Sequence, residues 1–239
     1  MKIEIIKCLQ DNYSYLIVDE ISQLACVVDP SEAKPIINFL KDKKINLKYI
    51  LNTHHHYDHV GGNLELKEKY NCEVIGFKGD KDRIPEIDIL VEDKQIWKKD
   101  NFEAKIYHIP GHTTGHIAFH FFKEKKIFTG DTLFSLGCGR IFEGTYEQMF
   151  RSLKRIKKLP KDTKIYCGHE YTLQNSNFCI SEDPNNLRLK EKIIEINQKI
   201  KKNLPTIPSI LNDELECNIF LKANDLESFS KLRDLKDNF

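Results

Sequence analysis

The segment LNTHHHYDHVGG, from position 51 to position 62, contains four histidines and one aspartate within six consecutive positions. A helix through this segment would place His55 and His59 one turn apart, as in the zinc-binding motif H-E-x-x-H. That motif needs a catalytic glutamate at position 56, which is His56 in this chain. The two glycines that follow also disfavour a long helix. We therefore interpret the segment as the end of a strand that enters a loop.

Successive side chains of an extended segment point to opposite sides. His54, His56 and Asp58 are therefore expected to project one way. His55 is expected to project the other way, and His59 follows where the chain turns toward the glycines. An open catalytic zinc site usually takes three protein ligands and a water molecule. The surplus of donors indicates two adjacent metal ions, with His55 as a bystander.

Three further candidate ligands each follow an apolar run and a glycine. They are His112 in IPGHTTGH, Asp131 in IFTGDTLF and His169 in IYCGHEYT. Glycine lets the backbone come close to a neighbouring group. One such junction would be unremarkable, since a histidine or aspartate at a strand end is more often structural. Three of them, together with the histidine-rich loop, predict a metal site.

The elements that must position these side chains form a mixed α/β body. Alternating or continuous apolar runs predict strands at the start of the chain and at 13–18, 24–29, 48–52, 72–77, 104–109, 117–122, 125–130 and 163–168. Helical spacing predicts helices at 31–44, with Ser31 as a cap, and at 63–70, 146–159, 185–204 and 225–239. We expect a catalytic domain over 1–170 and a small helical domain over 171–239.

Composition excludes several classes of protein. Lys+Arg is 37 and Asp+Glu is 36, so the net charge of +1 offers no broad attraction for nucleic acid or for an anionic membrane. No segment approaches the ~18 apolar residues of a membrane span. The alternating N-terminus is typical of a first strand and not of a signal peptide. The seven scattered cysteines contain no C-x-x-C, which favours a reducing, cytoplasmic setting.

The pattern T-H-x-H-x-D-H from Thr53 to His59 resembles the signature of the metallo-β-lactamase superfamily. Within it, the chain resembles the hydroxyacylglutathione hydrolases, or glyoxalase II. The segments that carry this resemblance are DNYSYLI, PGHTTGH, GDTLFSLGCGRIFEGT, CGHEYT and FSKLRDLKDNF, and together they span almost the whole chain. The resemblance implies an αββα sandwich followed by a small C-terminal helical domain.

The resemblance also assigns the metal ligands. It implies one metal ion held by His54, His56 and His112. It implies a second held by Asp58, His59 and His169, with Asp131 bridging the two. Periodicity alone could not have assigned Asp58 to the second ion. Zinc is the expected metal, with iron and manganese as alternatives, because histidine and carboxylate ligands accept all three.

Other polar residues near these motifs receive supporting roles. Asp29, at a strand end in VVDP, is expected to be a hydrogen-bond partner or a turn residue and not a ligand. His116 is expected to orient its loop, and His108 and His120 are expected to be structural.

The activity that the resemblance implies is hydrolysis of S-(2-hydroxyacyl)glutathione thioesters by a metal-bridging hydroxide. The typical substrate is S-D-lactoylglutathione, which yields glutathione and D-lactate in the second step of methylglyoxal detoxification. Asp58 or Asp131 would accept a proton. The cysteines need no catalytic role, and we expect a monomer with no nucleic-acid or membrane partner.

Glutathione has two carboxylates, so its binding residues should include cations. The matching positions are Arg140, Phe142, Tyr171, Arg233 and Lys236. Arg233 and Lys236 would share a helix face, although without the resemblance an ordinary solvated face would be preferred. Departures from the family pattern at Ile219 and Lys222 bear on glutathione affinity, since lysine lacks the planar fork of arginine.

Three competing functions follow from the same motifs. A persulfide dioxygenase with a single iron would need only His54, His112 and Asp131. A nucleic-acid-processing relative is disfavoured because the chain has no room for a large inserted domain. A non-catalytic binding protein is disfavoured because all of the expected ligands are present.

Overall fold

The computed structural model describes all 239 residues. The chain forms two compact units. Unit 1 consists of Met1–His108 and Gly115–Glu124, and unit 2 consists of Ile109–Thr114 and Lys125–Phe239. The sequence-based division into domains 1–170 and 171–239 has other boundaries than these units, and it stays a prediction.

Unit 1 contains a six-stranded sheet whose strands lie in chain order. They are β1 (Lys2–Cys8), β2 (Asn12–Asp19), β3 (Leu24–Val28), β4 (Asn46–Leu51), β5 (Glu73–Phe77) and β6 (Ile89–Val91). The first three strands pair antiparallel and the last four pair parallel. All eight side chains of β2 are buried, as expected of a strand covered on both faces.

Three helices connect the parallel strands of unit 1. They are α1 (Ala33–Lys43), α2 (Tyr57–Val60) and α3 (Asn63–Tyr70). Ile36 and Leu40 of α1, one turn apart, pack into the core of the sheet. The prediction that Ser31 caps this helix is wrong. Glu32 occupies the N-cap position, and the Ser31 N–H donates to the Ser14 hydroxyl at 3.1 Å.

The rest of unit 1 is an antiparallel meander of three strands. They are β7 (Ile96–Lys99), β8 (Phe102–His108) and β9 (Ile117–Phe121). Phe102, Ala104 and Ile106 of β8 are fully buried, whereas the residues between them are partly exposed. This period of two places one face of the strand in the core.

Unit 2 contains a short sheet and a two-stranded hairpin. Its strands are β10 (Lys126–Gly130), β11 (Leu133–Phe134), β12 (Gly137–Cys138), β13 (Lys164–Cys167) and β14 (Ser209–Ile210). β10 and β13 are parallel, so their carboxyl ends meet at the same edge. The amphipathic helix α4 (Tyr146–Ile156) begins with a capping box of Thr145 and Gln148.

Five helices follow Tyr171, where the sequence predicted two. They are α5 (Thr172–Glu182), α6 (Leu187–Lys201), α7 (Leu211–Cys217), α8 (Ile219–Lys222) and α9 (Leu226–Asp237). The predictions for α6 and α9 are confirmed to within a few residues. α7 and α8 have seven and four residues, which is too short for a helical period to be visible. None of the helices is both long enough and apolar enough to cross a membrane.

Candidate metal centre and pocket

The histidine-rich segment of unit 1 leaves the sheet at the end of β4 and enters α2 at Tyr57. The rings of His54 and His56 lie together, with centroids 4.7 Å apart, while His55 turns toward Asp80, 3.4 Å away. The alternation predicted for these three histidines therefore holds. Asp58 differs, because it lies in the first turn of α2 and not in extended backbone. Its Oδ2 is 3.6 Å from Nε2 of His59.

His54 lies at the centre of this group of rings. Its centroid is 4.2 Å from that of His59 and 4.6 Å from that of His116, with which it stacks at an interplanar angle of 19°. His54 and His59 are almost completely buried. His116, which the sequence predicted to orient its loop, thus packs flat against a candidate ligand.

Asp29 holds the ligand loop with both carboxylate oxygens. Its Oδ1 accepts from the Thr53 N–H at 2.8 Å, and its Oδ2 accepts from the Thr53 hydroxyl at 2.6 Å. Oδ2 also lies 3.0 Å from Nδ1 of His59. A carboxylate on Nδ1 orients the imidazole so that Nε2 is the atom that can bind a metal ion. The predicted role of Asp29 as a hydrogen-bond partner therefore fits its contacts.

The donor set of unit 1 fits a metal ion. Ligand atoms of Asp29, His54 and His59 lie within 4.8 Å of one another, and of these three Asp29 serves as the hydrogen-bond partner of His59 and not as a ligand. Asn12, at the start of β2, donates through Nδ2 to both the backbone oxygen and Oδ2 of Asp58, each at 3.0 Å. Sequence reasoning missed this role of Asn12, which lies in the segment DNYSYLI.

In unit 2, three candidate ligands converge at the edge where β10 and β13 end. Oδ2 of Asp131 lies 3.6 Å from Nε2 of His112 and 3.2 Å from Nε2 of His169. All three residues are at most 6% exposed. One oxygen of this carboxylate thus lies close to the Nε2 atoms of two imidazoles.

The two histidines of unit 2 are held differently from those of unit 1. Nδ1 of His112 donates to the backbone oxygen of Arg140 at 2.8 Å. The ring of His169 stacks on Tyr171, with centroids 4.7 Å apart and an interplanar angle of 6°. A side chain at Gly139 would place Cβ 1.9 Å from the backbone oxygen of Asp131, so only glycine fits there.

A cavity of about 370 Å³ opens beside Asp131 and His112 in unit 2. Its lining includes all five residues predicted to bind substrate: Arg140, Phe142, Tyr171, Arg233 and Lys236. Phe142 is largely exposed, and its ring lies 5.2 Å from that of His112. The cavity therefore combines aromatic side chains with cations, next to candidate metal ligands.

The three cations of the cavity differ in how they are paired. Arg233 is buried and donates to the backbone oxygen of Cys138 at 2.7 Å and to Oδ1 of Asp237 at 2.9 Å. Arg140 lies 3.3 Å from the same Asp237 oxygen. The buried Nζ of Lys236 has no hydrogen-bond partner, and burial lowers the pKa of this ammonium group, with the charge of Arg233 adding to the effect. Lys236 is therefore the cation best placed to receive an added carboxylate.

The hairpin of β11 and β12 forms part of the cavity wall, and two buried side chains hold it. Oε2 of Glu214 accepts from the Leu136 N–H at 2.8 Å and from Nδ2 of Asn218 at 3.0 Å. Asn218 also donates to the backbone oxygen of Gly137 at 3.1 Å. Burial raises the pKa of the Glu214 carboxyl. No local pattern in the sequence indicated this contact between α7 and the hairpin.

All seven cysteines are buried free thiols. Burial raises the pKa of both Cys167 and Cys179 to about 12. A thiol needs to be deprotonated to act as a nucleophile. These values agree with the expectation that the cysteines are not catalytic.

Two family descriptions match adjoining parts of the chain. The metallo-β-lactamase superfamily matches residues 10–169, and the hydroxyacylglutathione hydrolase C-terminus matches residues 170–239. A hydroxyacylglutathione hydrolase from Pelagibacter ubique is 71% identical over 100% of both chains. Another from Methylococcus capsulatus is 42% identical over 98% of this chain and 97% of its own length.

Similarity to solved structures supports the assignment of the fold. The crystal structure of ETHE1 from Myxococcus xanthus superimposes with a TM-score of 0.75 and covers 98% of this chain and 90% of that chain. Its sequence identity of 21% supports a common fold and nothing finer. The prediction of a mixed α/β metallo-β-lactamase fold with a helical C-terminal region is confirmed.

Proposed function

The chain belongs to the hydroxyacylglutathione hydrolase family of the metallo-β-lactamase superfamily, and we propose that it hydrolyses S-D-lactoylglutathione with two bound metal ions. It is a thioester hydrolase by that membership. The specific acyl group, the number of metal ions and their identity are parts of the proposal. Zinc is the proposed metal, as histidine and carboxylate donors accommodate it readily.

The contact of Asp131 with two histidines carries the proposal of two metal ions. His112 and His169 are assigned to different ions, and Oδ2 of Asp131 faces Nε2 of both. This contact alone is also compatible with a site for one ion, in which the aspartate and the two histidines would all bind the same metal. Here the chain also supplies His54, His56, Asp58 and His59, which exceed what one ion requires. We therefore assign His54, His56 and His112 to one ion, and Asp58, His59 and His169 to the other.

The protein's own residues account for orientation and proton transfer. Metal ions bound there would lower the pKa of a water molecule and polarise the thioester carbonyl. Asp29 and the Arg140 backbone oxygen hold His59 and His112 through Nδ1. Asp58 or Asp131 would accept the proton that the attacking water loses, and this proton would then pass to the leaving thiolate. The products are the hydroxy acid and the free thiol, so no covalent bond to the protein forms.

The cavity of unit 2 supports a glutathione moiety as the thiol part of the substrate. Glutathione has two carboxylates, and Lys236 and Arg140 supply positive charge at the lining. Tyr171 and Phe142 supply aromatic surface for the peptide backbone. Arg233 contributes by holding the backbone at Cys138 in place, since both of its terminal nitrogens donate to protein groups.

The persulfide dioxygenase considered as an alternative is less well supported. The similarity to ETHE1 establishes the fold alone. The match of residues 170–239 to the hydroxyacylglutathione hydrolase C-terminus favours the hydrolase. His59 and His169, which a single iron would not need, are also held by neighbours: His59 by Asp29 and His169 by Tyr171.

We propose a cytoplasmic location, supported by the seven free and buried thiols. A reducing compartment keeps such thiols unpaired.

The test of this function compares two thioesters of D-lactate with the purified, zinc-loaded protein. One carries glutathione, and the other carries N-acetylcysteamine, which lacks both carboxylates. We expect rapid hydrolysis of the first, and a much lower kcat/KM for the second that is caused mainly by KM. Equal kcat/KM values would contradict glutathione recognition, and no hydrolysis of either thioester would contradict the hydrolase itself.

A further inference from the structure

Asp80 is a fully buried carboxylate that the proposed reaction does not use. It ends the 3₁₀ turn Lys78–Asp80 that follows β5, and its exposed fraction is 0%. A carboxylate in such a place is strongly destabilising unless charges or hydrogen bonds compensate for its lost hydration. Its partners therefore indicate what the residue is for.

One oxygen of Asp80 faces an arginine and the other faces the ligand loop. Oδ1 accepts from Nε of Arg83 at 3.2 Å and also from its Nη2. Oδ2 lies 3.4 Å from Nδ1 of His55, the residue between His54 and His56. The other ring nitrogen of His55, Nε2, is 3.4 Å from Nη1 of Arg83.

The direction of these contacts follows from the chemistry of the groups. A guanidinium only donates, and a carboxylate only accepts. Nε2 of His55 therefore accepts from Arg83, and the Nδ1 proton lies on the side of Asp80, 3.4 Å from Oδ2 but outside hydrogen-bond geometry. Arg83 therefore binds the His55 ring at Nε2, and the Asp80 carboxylate lies against its Nδ1 side. The prediction that His55 is not a metal ligand is compatible with these contacts.

Asp80 also lies directly against a second backbone segment. A Cβ added to Gly115 would be 1.9 Å from Oδ1 and 2.4 Å from Oδ2 of Asp80. Gly115 precedes His116, whose ring stacks on His54 with centroids 4.6 Å apart. The carboxylate thus lies against the ring of His55, which follows His54 in the chain, and against Gly115, which precedes the residue that stacks on His54.

We propose that Asp80 is a positioning residue for the metal ligands His54 and His56, acting through His55 on one side and Gly115 on the other. This role rests on the proposed function, because it presumes that His54 and His56 bind metal. Residues that orient metal ligands typically change metal affinity or activity by about 10- to 100-fold when replaced.

The experiment measures zinc affinity by competition with a chromophoric chelator, for full-length wild type, Asp80→Asn and Asp80→Ala. We expect affinity to fall about tenfold or more in Asp80→Asn and further in Asp80→Ala. Asp82→Asn is the matched control, since Asp82 is an exposed acid two residues along the chain. Its affinity should stay at the wild-type value. Wild-type affinity in both Asp80 variants would overturn the proposal.

Two double-variant comparisons separate positioning from general stability. If Asp80 acts through His55, Asp80→Asn should add little to the loss of zinc affinity already caused by His55→Ala. If Gly115 is glycine because of the carboxylate, Gly115→Ala should lower zinc affinity in the wild type but not in Asp80→Ala. Additive losses in both comparisons would contradict the proposal. Thermal unfolding of each metal-free variant identifies any that fail to fold, and the Asp80→Asn comparison then decides.

Kinetics distinguishes this proposal from the function on which it rests. At saturating zinc, Asp80→Asn should recover most of the wild-type kcat, with KM for S-D-lactoylglutathione within about twofold. Failure of the wild type to hydrolyse the thioester would contradict the proposed function, while the zinc affinities would still test the positioning role of Asp80. Unchanged zinc affinity in an active Asp80→Asn protein would sink only the positioning role.

Discussion

The two units present metal-binding donors in contrasting ways. Unit 1 supplies its four donors from one short segment, and buried carboxylates orient that segment: Asp29 on Thr53 and His59, and Asp80 on His55. Unit 2 supplies three donors from separate segments, and holds them by a backbone oxygen at His112 and an aromatic stack at His169. Orientation thus relies on carboxylates in unit 1, where His116 also stacks on His54, and on packing and backbone in unit 2.

The two units should therefore differ in their sensitivity to carboxylate-to-amide substitutions. Replacing a carboxylate by its amide keeps the size and removes the charge, so it should damage the supports of unit 1 more than those of unit 2. In unit 2 the sensitive carboxylate is the ligand Asp131 itself.

The largest effect is expected from Asp131→Asn. A metal ion contributes several kcal/mol to the transition state, and each ~1.4 kcal/mol is a factor of ten in rate. We therefore expect kcat/KM for S-D-lactoylglutathione to fall by about 1000-fold or more, together with the loss of bound metal measured by elemental analysis. A loss below about tenfold with both ions retained would show that Asp131 is not the bridging ligand.

One buried group in each unit should respond to acid, and the two responses should have opposite signs. Burial lowers the pKa of His120 in unit 1 from 6.5 to about 4. The unfolded chain therefore takes up this proton first as the pH falls, and stability present above pH 6.5 is lost toward pH 4. At ~1.4 kcal/mol per pH unit the loss amounts to roughly 3 kcal/mol.

Glu214 in unit 2 has a raised pKa, so its protonated form stabilises the fold. That contribution is complete below the ordinary pKa of 4.5 and is lost as the pH rises through the folded value. Chemical denaturation of the metal-free protein from pH 4 to 7 tests both signs. His120→Phe should flatten the loss of stability on acidification, and Glu214→Gln should steepen it. No change in slope for either variant would contradict these assignments.

A smaller effect is expected from Asp29→Asn, paired with Glu170→Gln. Asp29 orients a ligand, whereas Glu170, next to His169, accepts from the N–H and hydroxyl of Thr206 at 2.9 and 2.6 Å. We expect about a 10- to 100-fold loss of zinc affinity for Asp29→Asn and less for Glu170→Gln. A larger loss of zinc affinity in Glu170→Gln than in Asp29→Asn would contradict the view that carboxylates orient the ligands of unit 1 and packing those of unit 2.

The smallest effect is expected at the cavity. Lys236→Met should raise KM for the glutathione thioester about tenfold with kcat nearly unchanged, because one charge-assisted hydrogen bond is worth roughly 1.5 kcal/mol. Since the pKa of Lys236 lies below its usual value, KM should also begin to rise at a lower alkaline pH than for an exposed lysine. A fall in kcat with KM unchanged would place Lys236 in the chemical step.

Some features of Arg233 could be predicted from the sequence and others could not. Its helix followed from the hydrophobic period, and its place among the substrate-binding residues followed only from the family resemblance; Arg233 and Lys236 both line the cavity. Arg233 also lies one turn from the fully buried Phe229, so it is on the packed face of α9. Periodicity could not show this, because arginine is normally taken as a sign of the solvent side. Its contact with Cys138 is a tertiary one, 95 residues apart.

The ligand loop of unit 1, in contrast, could be predicted from local sequence. Its donors are neighbours in the chain, so spacing alone predicted that His54 and His56 share a side. Asp80 and Glu214 were not predictable, since a single acidic residue has no local pattern that distinguishes a buried support from a solvated charge. Only the fold places Asp80 against Gly115, and Glu214 against Leu136.

Stepwise addition of zinc to metal-free protein, with thioester hydrolysis followed on the same sample, shows whether two bound ions are needed for hydrolysis. We expect that two zinc ions bind per chain, that hydrolysis of S-D-lactoylglutathione reaches its maximum only with the second, and that Asp131→Asn binds fewer. Full occupancy at a single ion with no thioester hydrolysis, or oxygen consumption with glutathione persulfide, would contradict this expectation.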